Sequence, residues 1–135
     1  MKLDAEIESW ARSVGSRMFY EKGASSRSAL NFARLYGYAF SEGLNPTVTR
    51  IYSTGAHQKQ LQARYDSGDH MGLRVRPATT SKHIREFNGE MASDAMDMPC
   101  SSKENDFRCA QLARQIGLRA GMDFREPDPG HYDTP

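Results

Sequence analysis

Apolar residues recur three or four positions apart through the first part of the chain. Leu3, Ile7, Trp10, Ala11, Val14 and Met18 make one such stripe, the period of a helix with a single buried face. Asp4 stands where a side chain caps a helix start, and the pattern predicts a helix to about Tyr20. Ser25 and Ser26 precede a second stripe of Leu30, Ala33, Tyr36 or Gly37, and Phe40, which predicts a helix ending near Glu42, where "EGLNP" supplies a stop. "TVTRIYS" (47–53) is β-branched and aromatic and reads as a strand, and "AHQKQLQARYDSG" (56–68) returns to helix formers and closes on Gly68. The stretch 69–82 has no period and holds Gly72 and Pro77, a loop that leads into His83. Ser101 with Glu104 forms a capping box, Cys109, Leu112, Ala113 and Ile116 give a helical stripe, and Gly117 ends it. A short strand at Met122–Phe124 and a turn complete the chain.

The strands do not alternate regularly with helices, as a parallel sheet requires, so the expected class is α+β, a small antiparallel sheet with flanking helices. At 135 residues the chain suits one domain, 1–135. Lys and Arg number 18 against 17 Asp and Glu, with no block of like charge, which excludes a nucleic-acid stripe and a polybasic membrane patch. A helix-turn-helix reading of "SSRSALNFARLYGYAF" fails because that segment offers two arginines, where phosphate contacts need several cations. No apolar run approaches the roughly 18 residues of a spanning helix, and "MKLDAEIESWARS" is acidic and amphipathic, unlike a signal peptide. The expectation is a protein that is made and stays soluble, without a signal peptide. Cys100 and Cys109 lack a metal or redox spacing and read as ordinary thiols of a reducing compartment.

Two stretches carry candidate chemistry. In "DPGH", Pro129 and Gly130 fit the two central positions of a type II turn, whose outer residues lie within about 7 Å of each other. Asp128 and His131 then become neighbours. The second stretch, "SKHIREFNGEMASDAMDMP" (81–99), offers His83 with Asp94 or Asp97. A catalytic zinc usually takes three protein ligands, His or carboxylate, and keeps a fourth position for water. His83, one aspartate and His131 complete such a set, and two histidines with a carboxylate suit zinc better than the all-oxygen preferences of calcium or magnesium. Asp128 would stand beside the metal as a base.

The order "STGAHQKQLQ", "GLRVRPATTSKH", "GEMASDAMDMP", "LARQIGLRAG" and "DPGHYD" resembles the zinc D-Ala-D-Ala carboxypeptidase and L-Ala-D-Glu endopeptidase group (peptidase family M15), which includes phage endolysins. That group has a Ser-x-His, then a Gly-x-Ala-x-Asp, then a C-terminal Glu or Asp followed after two residues by His. The likeness covers about residues 47–133 and leaves the helical residues 1–43 outside it. It implies the hedgehog and DD-peptidase type of zinc peptidase fold, with His83, Asp97 and His131 as Zn2+ ligands and Asp128 as the general base. Ser81 becomes the serine of Ser-x-His. The activity implied is cleavage of bacterial peptidoglycan stem peptides, reached by release at lysis or from within a phage particle. Two departures stand out. His83 and Asp97 are fourteen apart, farther than the family pattern, and no arginine occupies the place of the family's substrate-binding arginine in "STGAHQ", for which Arg50, Arg74 and Arg76 are substitutes, with Arg76 taken with Ser81 on the substrate side. An alternative of another class follows from them: a non-enzymatic virion or scaffold component, partnered by virion proteins, that keeps the fold.

Overall fold

The computed structural model describes residues 1–52, 55–70, 82, 86–87 and 90–135. The protein is α+β, with helices set against a small antiparallel sheet. Helix α1 (Ala5–Trp10), a π-helical segment (Ala11–Gly15) and α2 (Ser16–Glu21) run on without a break. Asp4 caps the start, its carboxylate accepting the backbone N–H groups of Glu6 and Ile7 at 2.9 and 3.0 Å. The buried face departs from the expected stripe: Ile7, Trp10 and Ala11 turn inward, yet Val14 and Met18 are 42 % and 43 % exposed, and Gly15 and Phe19 are buried instead. The π segment is the reason. The N–H of Ser16 reaches back five residues to the carbonyl of Ala11, and the extra residue in that turn moves the inward face on by one position.

Helix α3 (Ser26–Ser41) has the expected limits but a broader core face of Ser28, Ala29, Phe32, Ala33, Leu35, Tyr38 and Ala39. It is covered on one side by the first helical run and on another by α5 (Lys103–Ile116), so a single stripe cannot describe it. Phe40 is left at the rim, 67 % exposed and stacked on Tyr36. Residues 47–50 are extended but form no strand: Thr47 and Thr49 donate to the carbonyls of Pro99 and Asp97, and Arg50 makes one isolated bridge with Asp97. Pro99 has no N–H to return, which helps keep the pairing from growing into a ladder. Helix α4 spans Gly55–Asp66, and β1 (Glu86–Phe87) pairs with β2 (Glu90–Met91).

The second sheet has the order β3 (Ala95–Asp97), β5 (His131–Asp133), β4 (Arg119–Ala120), antiparallel throughout. The strand expected at Met122–Phe124 is therefore earlier, at 119–120. Gly121–Asp123 is a 3-10 turn, because the Gly121 carbonyl takes the N–H groups of Phe124 and Asp128 and folds the chain on itself. The cap of α5 also falls one residue later than the capping box predicts: Ser102, not Ser101, accepts the Asn105 N–H at 3.1 Å. The stripe of α5 is buried as expected, and Gly117 ends it in a left-handed conformation. One apolar cluster joins Phe19, Phe32 and Leu35 to Met96, Met98, Leu112, Ile116 and Tyr132. Among the described residues no helix is long and apolar enough to cross a membrane.

Candidate functional site

Strand β5 is the middle of its sheet, and its three residues divide between two faces. Tyr132 points into the core and is 1 % exposed. Alternation then sends His131 and Asp133 together to the other face. The β3–β5 register sets Asp97 directly opposite His131, and cross-strand partners share a face. The imidazole is thus held among three carboxylates. Its Nδ1 lies 3.3 Å from Asp97 Oδ1 and 3.9 Å from Asp128 Oδ2, and its Nε2 lies 2.8 Å from Asp133 Oδ2.

The turn that brings Asp128 to this place is the expected one. The His131 N–H donates to the Asp128 carbonyl at 3.2 Å, and Gly130 has φ +88°, the sign that the third residue of a type II turn requires. The turn presses on Gly121: a Cβ there would meet the Asp128 carbonyl oxygen and come within 2.8 Å of His131 Cβ. Only a residue without a side chain admits the turn so close to the end of β4.

Asp133 is 2 % exposed and gathers cations. Arg119 grips both its oxygens, at 2.6 and 2.9 Å, and Lys82 Nζ reaches Oδ1 at 3.3 Å and also the carbonyl of Thr134. Burial alone would raise the Asp133 pKa, but the hydrogen bonds from His131 and Arg119 overcome it and hold the carboxyl below its usual range. For His131 burial pulls the other way, favouring the neutral ring, and the hydrogen bonds and charges of Asp133 and Asp97 override it and raise the pKa to about 9. Arg50 Nε binds Asp97 Oδ2 at 3.1 Å. The Phe124 ring packs 5.4 Å from the imidazole, with the Arg119 guanidinium 4.9 Å from its centre.

Of the residues expected at a site, Asp97, Asp128 and His131 come together here. His83, Ser81 and Arg76 lie outside the described residues, although Lys82, which precedes His83, is fastened to Asp133 and its carbonyl accepts the Asp94 N–H at 3.0 Å. Asp94 is placed elsewhere. It is 4 % exposed and is held at the start of α3 by Ser25, Ser28 and Arg27, whose Nε and Nη2 lie 3.1 and 2.9 Å from its oxygens. Asp133, Arg119 and Gly121 escaped the sequence reading. The spacing His131-x-Asp133 was the available signal, since residues two apart on a strand share a face.

Two chemistries are open to this arrangement. A protonated His131 makes a buried ion pair, while a neutral one with its proton on Nε2, toward Asp133, turns a lone pair on Nδ1 toward Asp97. Ligands about 2.0–2.1 Å from a tetrahedral zinc lie about 3.3 Å from each other, and the Nδ1–Oδ1 separation of 3.3 Å meets that spacing. Among the described residues no group of three or more His, Cys, Asp or Glu is arranged to hold a metal ion; His83, the third residue of the expected set, lies outside them. No family model matches the chain, and no curated protein matches its sequence.

Proposed function

We propose that this protein is a zinc-dependent peptidase of the M15 type of fold, cleaving D-Ala-D-Ala or L-Ala-D-Glu type bonds in peptidoglycan stem peptides. The observation that carries the reading is the 3.3 Å approach of His131 Nδ1 to Asp97 Oδ1 on facing strands, with Asp128 held by its turn 3.9 Å from the same nitrogen. His83, Asp97 and His131 would hold the metal, with Ser81 and Arg76 on the substrate side. Zinc in such a set polarises a carbonyl and lowers the pKa of water to about 7. Asp128, held by its turn 3.9 Å from Nδ1, would serve as the base, its Oδ2 taking a proton from the attacking water and passing it to the leaving amine. Arg50, on the far oxygen of Asp97, fixes that carboxylate's orientation. The enzyme works at the cell wall, released at lysis or carried in a phage particle.

Digestion of purified peptidoglycan tests this. New amine ends that vanish on chelation and return with zinc are expected, and full activity in metal-free protein would overturn the proposal. Zinc bound without any cleavage at high protein concentration would instead favour a scaffold or virion component with this fold.

A further inference from the structure

We infer that Asp133, clamped by Arg119 and Lys82, is a positioning residue that holds the proton of His131 on Nε2 and so presents Nδ1 to the metal; this rests on the zinc reading above. A histidine ligand binds through one nitrogen, and the hydrogen bond made by the other decides which. Here the two nitrogens are treated differently by the fold. The contact to Asp133 is short, 2.8 Å, and comes from the same strand, whereas that to Asp97 is 3.3 Å and crosses to β3.

Asp133 is itself immobilised. It is 2 % exposed, both oxygens are taken by Arg119, and Lys82 adds a third contact. With two cations on it, the carboxylate remains an acceptor and has no proton to offer Nε2. A neutral ring makes the shorter of its two carboxylate hydrogen bonds with hydrogen on Nε2, which leaves the lone pair on Nδ1. Such outer carboxylates typically change metal affinity by 10- to 100-fold when removed. Lys82, which contacts the same carboxylate, directly precedes His83 in the chain.

The tautomer can be read without metal. Two-bond 1H–15N correlation spectra of the metal-free full chain, recorded where the ring is neutral, should show the Nε2–H form. An Nδ1–H form in the wild type overturns the inference, whatever the protein does with zinc. Asp133→Asn, which keeps the shape, should mix the two tautomers and weaken zinc about 10- to 100-fold in a chelator competition. Unchanged tautomer and unchanged zinc affinity in a folded Asp133→Asn protein also overturn it. If Asp133→Asn does not fold, Arg119→Gln, which frees one cation from the same carboxylate, should weaken zinc in the same direction, and no effect there counts against the clamp. Wild type that holds the Nε2–H form yet takes up no zinc keeps the positioning role and sinks the metal reading instead.

Discussion

Raising the pH of the metal-free protein from 6 to above 9 should remove a defined part of its stability. His131 is enclosed by Asp97, Asp133 and the Phe124 ring, with 13 % of its side chain exposed, and its pKa rises from 6.5 to about 9 on folding. Each pH unit of such a rise is worth about 1.4 kcal/mol, so the imidazolium and its carboxylates contribute on the order of 3 kcal/mol. The sign follows from linkage: the folded state holds the proton more tightly than the unfolded chain. The contribution is therefore complete below about pH 6.5, shrinks between about 6.5 and 9, and is gone above that. Urea titrations at fixed ionic strength with a chelator present would measure it, with His131→Gln as the reference that removes the group while other titrations continue. A wild-type curve parallel to that of His131→Gln across this window would refute the reasoning. Zinc has the opposite dependence, because it competes with the proton for Nδ1, so its stabilising effect should grow over the same interval.

Four substitutions separate the roles of the neighbouring groups. His131→Ala should release zinc and lower the melting temperature of the zinc-loaded protein, whereas Asp128→Asn should keep zinc near the wild-type level and reduce turnover by about 10²- to 10⁴-fold, read by metal analysis beside peptidoglycan hydrolysis. Asp94→Asn should cost about 1.5–3 kcal/mol in urea unfolding, since the buried carboxylate accepts from two serines and an arginine, but leave zinc content unchanged; loss of zinc would make Asp94 the ligand and displace Asp97. Gly121→Ala should destabilise by about 1–3 kcal/mol and weaken zinc as well, because the added Cβ meets the backbone of the Asp128 turn and His131 Cβ.

What the sequence made legible was local, and what it hid depended on distant partners. The turn at Asp128–His131 was readable because Pro129 and Gly130 set its dihedrals by themselves, and the stripe of α5 because every turn repeats it. The inward face of the first helix was misread after Ala11, since a π segment leaves no mark on a three-or-four count. Thr47–Arg50 has strand composition but lies against a three-residue strand and a proline, so composition alone overstated its pairing. At the site, spacing left Asp94 and Asp97 both open. Tertiary contacts part them: Asp94 belongs to the start of α3 and Asp97 to the face of His131. Arg119 and Gly121 could not be found from spacing, because each matters only through a carboxylate fourteen residues on or a turn that begins seven residues on.

The most direct test of the account is the zinc content of the purified full chain after dialysis against zinc and removal of excess, measured by elemental analysis in parallel with His131→Ala and Asp97→Ala. One tightly held zinc per wild-type chain is expected, with loss of that zinc in both variants. A wild-type chain that retains no zinc, or variants that retain as much as the wild type, would contradict the account and leave His131 as a buried ion pair of the sheet.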